Sequence, residues 1–285
     1  MSKLLRWLDD LPALRDPVLL VALDGFVDAG DVGEHASTFL RHRWQAEAVA
    51  ELDGDELIDF RARRPTVVVD SGQVRRVEWP RIRLHAAQLD GPRDVLLLTG
   101  PEPDMRWHAF VDAVASLCAQ VDVSRVVTLS AYPAAAPHTR PIEIVQASNA
   151  VDDGPVEGAR PVSGYTGPIG AATALQADLA EQNIGVLGFW AEVPHYISAS
   201  PNPPGALAMV RIVADLLGTE VDTEELEAAA KLHREQVDEA VSQHDEAAEL
   251  VENLEELQDS DDADTDIPSG EDIADEIERF LRSQE

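Results

Sequence analysis

Lysine is nearly absent from this chain of 285 residues: Lys3 and Lys231 are the two it has. A P-loop needs a lysine on the phosphates, and a pyridoxal-phosphate enzyme needs one for its Schiff base, so both chemistries are excluded from the body. Arginine replaces the charge but restores neither motif. A single cysteine, Cys118, rules out an intrachain disulfide, and its place on a predicted apolar helix stripe makes it a small core residue. No stretch reaches the ~20 uncharged apolar residues of a membrane helix, and Asp9, Asp10 and Asp16 interrupt the N-terminal apolar residues where a signal peptide would need its core. Zinc-type spacings such as HExxH or CxxC are missing, as is a nucleophile elbow around Ser130 or Ser163, so neither a metal nor a cofactor is expected.

Positive charge is scarce too. Twenty-two Lys and Arg stand against 54 Asp and Glu, a net of −32. The imbalance is concentrated: residues 219–285 carry 25 acids and 4 bases, while residues 1–218 carry 29 and 18. Such a surface repels phosphate backbones and anionic headgroups, so the expected partners are proteins, with no nucleic acid and no membrane. The expected compartment is the cytoplasm.

What is present is an alternation of apolar runs and helical periodicities. Residues 18–23 form a continuous apolar run between Pro17 and Asp24, the pattern of a strand buried on both faces. The turn Asp24-Gly25-Phe26-Val27-Asp28-Ala29-Gly30 follows, and Asp31 with Glu34 predicts a capped helix. The unit recurs, with strands over 95–98, 126–129 and 185–190 and helices opening after Asp104, near Gly170 and near Pro204. Strands are also expected over 66–69 and 81–89. Strands separated by helices imply crossovers, hence an α/β fold with a mainly parallel or mixed sheet and flanking helices. The chain divides into an α/β core (1–218), an acidic helical extension (219–258), an acidic linker of disordered composition (259–268) and a terminal amphipathic helix (269–285). Ile273, Ile277, Phe280 and Leu281 give that last helix a stripe that must bury on the body, a second subunit or a partner.

Ligands of such sheets bind at the carboxyl ends of the parallel strands. Asp28 beside Gly30 could position a hydroxyl or a base, or simply serve the helix start. Glu102, fixed between two prolines, could hold a ligand or an arginine. His138 and Arg140 share a proline-rich loop and could supply a general base and an anion anchor. Tyr165, Gly167 and Gly170 open a helix whose free N–H groups could cradle an anion. Glu192 and His195 could form an acid/base pair. No catalytic signature selects among these residues.

The order of the Asp24-to-Gly30 turn, Gly100-Pro101-Glu102-Pro103, the 164–170 loop and Pro194-His195-Tyr196 resembles the proteasome assembly chaperone-two family in its actinobacterial branch. The resemblance covers roughly residues 15–218, with a helical C-terminal extension. It implies a fold like that of nucleoside phosphorylases and related hydrolases, a homo-oligomer with a trimer as first choice, and a non-catalytic assembly-chaperone role with proteasome subunits as partners. The chain ends Ser283-Gln284-Glu285, not in the hydrophobic–tyrosine–any tail with which relatives enter α-ring pockets. A nucleoside- or anion-binding enzyme using the cleft is the alternative.

Overall fold

The run Val18–Asp24 (β2) sits at the middle of the sheet and has a core on each side. Leu19, Val21 and Leu23 point into one, and Val18, Leu20 and Ala22 into the other. This is why a continuous apolar run, and not an alternating one, reads as a strand here. The computed structural model describes residues 3–150, 154–182 and 184–260. Among them, nine strands form one sheet. On one side of β2 lie Val95–Pro101 (β7), Arg83–Ala87 (β6), Glu47–Leu52 (β3) and Leu5–Trp7 (β1). On the other lie Arg125–Ala134 (β8), Val186–Pro194 (β11), Ile144–Ser148 (β9) and Ala159–Pro161 (β10). The four central strands, β7, β2, β8 and β11, are mutually parallel. Antiparallel pairings of β6 with β7 and of β9 with β11 extend the sheet outward, so it is mixed.

Helices cover both faces. Val32–Arg43 (α1) and Pro203–Leu217 (α5) bury Val32, Ala36, Leu40, Met209 and Val213 on one face. Trp107–Val121 (α3) and Ala171–Glu181 (α4) bury Phe110, Val114, Cys118, Leu175 and Leu179 on the other. A short turn of helix, Gly54–Leu57 (α2), leads out of β3. Prolines in the first turn of α5 and the left-handed Gly218 after its last define that helix as its sequence predicts.

Two helix starts differ from expectation. Asp31 takes a left-handed conformation (φ 51°) and caps nothing; Asp28, three residues earlier, accepts from Gly33 N at 2.6 Å and Glu34 N at 3.1 Å. Asp104 accepts from Asp59 N at 2.8 Å, while left-handed Arg106 leads into α3. The segment expected as a sheet strand over 66–69 is Thr66–Asp70 (β4), which pairs with Gln73–Glu78 (β5) as a separate two-stranded hairpin. Ser71 and Gly72, both at positive φ, make its tight turn. Val67, Val69, Val74 and Val77 stay exposed on it.

After Gly218 come Glu224–Ser242 (α6) and Asp245–Ser260 (α7), separated at Gln243 and His244. The expected stripe of Ile273, Ile277, Phe280 and Leu281 lies outside the described residues.

Candidate functional site

The carboxyl edge of the parallel strands carries the residues singled out in the sequence, and the fold uses most of their polar atoms itself. Asp28 is buried. Burial raises its carboxyl to about 7, against the pull of the Gly33 and Glu34 N–H groups, which favour the ion. Gly30, at φ 63°, donates its N–H to Ser198 O at 2.7 Å and accepts from Asn202 N at 2.8 Å. A Cβ there would meet Asn202 Cβ at 2.7 Å, so the close approach of these two loops requires glycine. Asn202 in turn caps α5 by accepting from Gly205 N.

Glu102 and Gly170, read separately from the sequence, come together. The Glu102 carboxylate accepts from Ala171 N, the first residue of α4, and from Phe26 N at 3.2 Å. The helix start expected to cradle an anion therefore holds the protein's own carboxylate. Tyr165 is exposed, donates to Pro168 O at 2.7 Å, and covers Gly167.

Glu192 and His195 do not pair. Tyr132, register partner of Glu192 on β8, donates to the Glu192 carboxylate, and Arg160 reaches it at 2.6 Å while also holding Glu143 at 2.8 Å. The buried Tyr132 hydroxyl, against a carboxylate, has its pKa raised well beyond the phenol range. His195 is exposed, with Nδ1 3.2 Å from Ala134 O.

His138 and Arg140 lie under the C-terminal helices. The His138 backbone N–H donates to Tyr196 Oη at 2.7 Å, His138 Nδ1 is also 2.7 Å from that hydroxyl, and its Nε2 is 3.0 Å from Asp238 Oδ1 on α6. Thr139 donates to Glu255, Arg140 binds both oxygens of Asp259 at 2.9 Å, and Gln258 donates to Glu143 at 3.1 Å. Val251 and Leu254 of α7 are buried. The acidic helices thus close over the proline-rich loop, matching its donors with their acceptors. Among the described residues, no hydrogen bond or ion pair joins Asp28 or Glu102 to His138, Glu192 or His195. Nor does any group of three or more His, Cys, Asp or Glu there suit a metal ion, and none of the described helices is long and apolar enough to cross a membrane.

Tyr196, Asp238, Tyr132 and Arg160 carry these networks and were not singled out from the sequence. Tyr196 lies beside His195 in the same motif; nothing in the sequence distinguishes Asp238 from the other acids of its helix.

The PAC2 family model matches residues 22–241. The chain belongs to the PAC2 family. The matched region runs through α6, so this helix is within the PAC2 unit. Among similar solved structures, a protein of unknown function from Corynebacterium glutamicum is 31% identical, with 90% of this chain and 98% of that one covered and a TM-score of 0.84. The Mycobacterium tuberculosis proteasome-assembly chaperone homologue is 34% identical over 82% of this chain and 99% of its own, with a TM-score of 0.75. A PAC2 family protein from Streptomyces avermitilis is 30% identical over 83% and 100%, with a TM-score of 0.72. No curated protein matches the chain.

Proposed function

We propose that this PAC2 protein is a non-catalytic, proteasome-linked assembly factor that works by binding protein partners. One observation carries the reading: 34% identity, across 99% of its length, to the protein described as a proteasome-assembly chaperone homologue. The condition of the predicted cleft supports it. Glu102 and Glu192 are engaged within the fold, Asp28 serves α1, and His138 and Arg140 are held by α6 and α7. These engagements count against the enzyme alternative, for which Tyr165 and His195 remain exposed.

In this reading the protein acts in the cytoplasm as a homo-oligomer, with a trimer the first choice, and its partners are proteasome subunits. The acidic helices and the 269–285 segment, with Ile273, Ile277, Phe280 and Leu281, supply the partner contacts, since amphipathic faces flanked by acidic residues suit basic protein surfaces. The test is affinity purification of the full chain from its native host under mild conditions, followed by native mass spectrometry. Proteasome α subunits should co-elute and be lost when acidic residues of α6 and α7 are reversed in charge. An eluate without proteasome subunits, under conditions that retain known weak complexes, sinks the proposal.

A further inference from the structure

A cavity of about 560 Å³ opens between α1, the ends of β6, β7 and β2, and the base of the β4–β5 hairpin. It adjoins the predicted cleft, sharing Asp24, Gly100 and Pro101 of its turns, but Asp28, Glu102, His138, Glu192 and His195 do not line it. The alternation of β6 places Leu84 and Ala86 in the opposite core and turns Arg83 and His85 toward α1, where Arg41 meets the same space.

Three acids and three arginines line this cavity, but they are not paired with one another. The acids are Asp24, Glu34 and Glu78. Asp24 is paired with Arg63 at 3.2 Å and Glu78 with Arg76 at 2.7 Å, while Glu34 is exposed in the first turn of α1. On the basic side, Arg81 is held by Glu51 at 2.9 Å. That one carboxylate also takes Arg6, and it leaves Arg83 at 3.8 Å, beyond hydrogen-bond reach, with a buried Nε that has no partner. Arg41 has no carboxylate partner among the described residues; its guanidinium reaches the His42 ring alone, at 3.5 Å.

His85 is 5% exposed, and its Nδ1 is buried with no hydrogen-bond partner. Burial foremost, then the neighbouring Arg41 and Arg83, push its pKa down to about 4 against a backbone hydrogen bond at Leu97 that raises it, so the ring is neutral at pH 7. Buried polar atoms left unpaired cost stability, and natural folds rarely gather them without a use. Here two under-neutralised guanidiniums and an imidazole nitrogen without a partner share one cavity, in a chain of net charge −32. Arg83 Nε lacks an acceptor, Arg41 lacks a carboxylate, and His85 Nδ1 lacks a partner. Trp79, 47% exposed and edge-on to Phe60 at 4.9 Å, adds an aromatic wall.

We propose that this cavity binds a small organic oxyanion, a phosphate ester or carboxylate with a planar apolar portion. Arg41 and Arg83 hold the charged group, His85 donates a hydrogen bond to it, and Trp79 packs against the planar portion. Charge-assisted contacts from guanidinium to an oxyanion are the strong kind, and the volume falls in the range of ~300–1,000 Å³ usual for small-molecule sites.

The test is calorimetric titration of the full chain with phenyl phosphate, benzoate and inorganic phosphate. The expected result is one saturable site per chain that prefers an aromatic ligand to inorganic phosphate; comparing phenyl phosphate with benzoate identifies the headgroup. Arg41→Ala and Arg83→Gln, both at part-exposed positions and checked for folding by circular dichroism, should each weaken binding about tenfold or more. Trp79→Ala should erase the preference for the aromatic ligand. No saturable binding of any of the three at ~10 mM, or affinity unchanged in both arginine variants, overturns the proposal.

Discussion

Asp28 shows how one side chain can serve a fold and burden it at once. Its carboxyl receives two backbone N–H groups at the start of α1, yet burial lifts its pKa to about 7, above the ~4 of an unfolded chain. Between those values the folded protein holds a proton that the unfolded chain has released. Stability contributed by this group is therefore fully present below about pH 4 and declines as pH rises toward 7. Asp28→Asn removes the titration while keeping one acceptor for Gly33 N. Denaturation midpoints measured from pH 4 to 7 should shift in favour of the variant as pH rises; parallel curves for the two proteins would refute the titration. Asp28 was legible in the sequence, and serving the helix start was one of the roles read for it; that it does so in place of Asp31 was not legible. Asp31 with Glu34 had the better capping spacing, and only the left-handed Gly30 and Asp31 bring Asp28 to the helix end instead.

At the scale of elements, the contact between the body and the C-terminal helices rests on a small polar set. Tyr196 Oη accepts the His138 backbone N–H and bonds its ring, leaving the other ring nitrogen on Asp238. Tyr196→Phe strips both bonds and leaves a buried N–H unpaired, a loss of about 1–3 kcal/mol. Hydrogen exchange should then quicken in the 137–143 loop and in α6 and α7 while the central strands keep their protection; unchanged exchange would place the hold elsewhere, in the packing of Val251 and Leu254. The exposed Arg140–Asp259 pair contributes less, because solvent screens it. Elements with strong periodicity or unbroken apolar runs, such as β2, α3 and α5, were legible in the sequence. The outer strands β1, β9 and β10 and the detachment of the hairpin were not. Three-to-five-residue strands acquire their identity from partners far along the chain, and β5 carries no buried position to mark it.

For the molecule as a whole, charge sets the balance. With 54 acids and 22 bases, acidic groups outnumber cations by 32, so mutual repulsion outweighs the sum of surface ion pairs. Both are screened by salt, and the larger one governs the sign. The melting temperature should rise by a few degrees between low salt and ~0.15 M, where the Debye length is about 8 Å. A fall would mean that the ion pairs of Glu51 and Glu192 matter more than the excess. Family membership was legible at this scale, in the order of four loop motifs, because that order follows the strand sequence that builds the carboxyl edge. How those loops are closed was not legible, since it depends on where α6 and α7 come to rest.

That closure has a thermodynamic consequence for anything that grips the acidic helices. Asp238, Glu255 and Asp259 already serve His138, Thr139 and Arg140, so an outside protein that recruits them competes with the chain's own loop. Reciprocity then fixes the relation: whatever factor the loop takes away from a visitor's affinity, the visitor takes away from the loop's protection. A chain whose loop is loosened should be the stickier one.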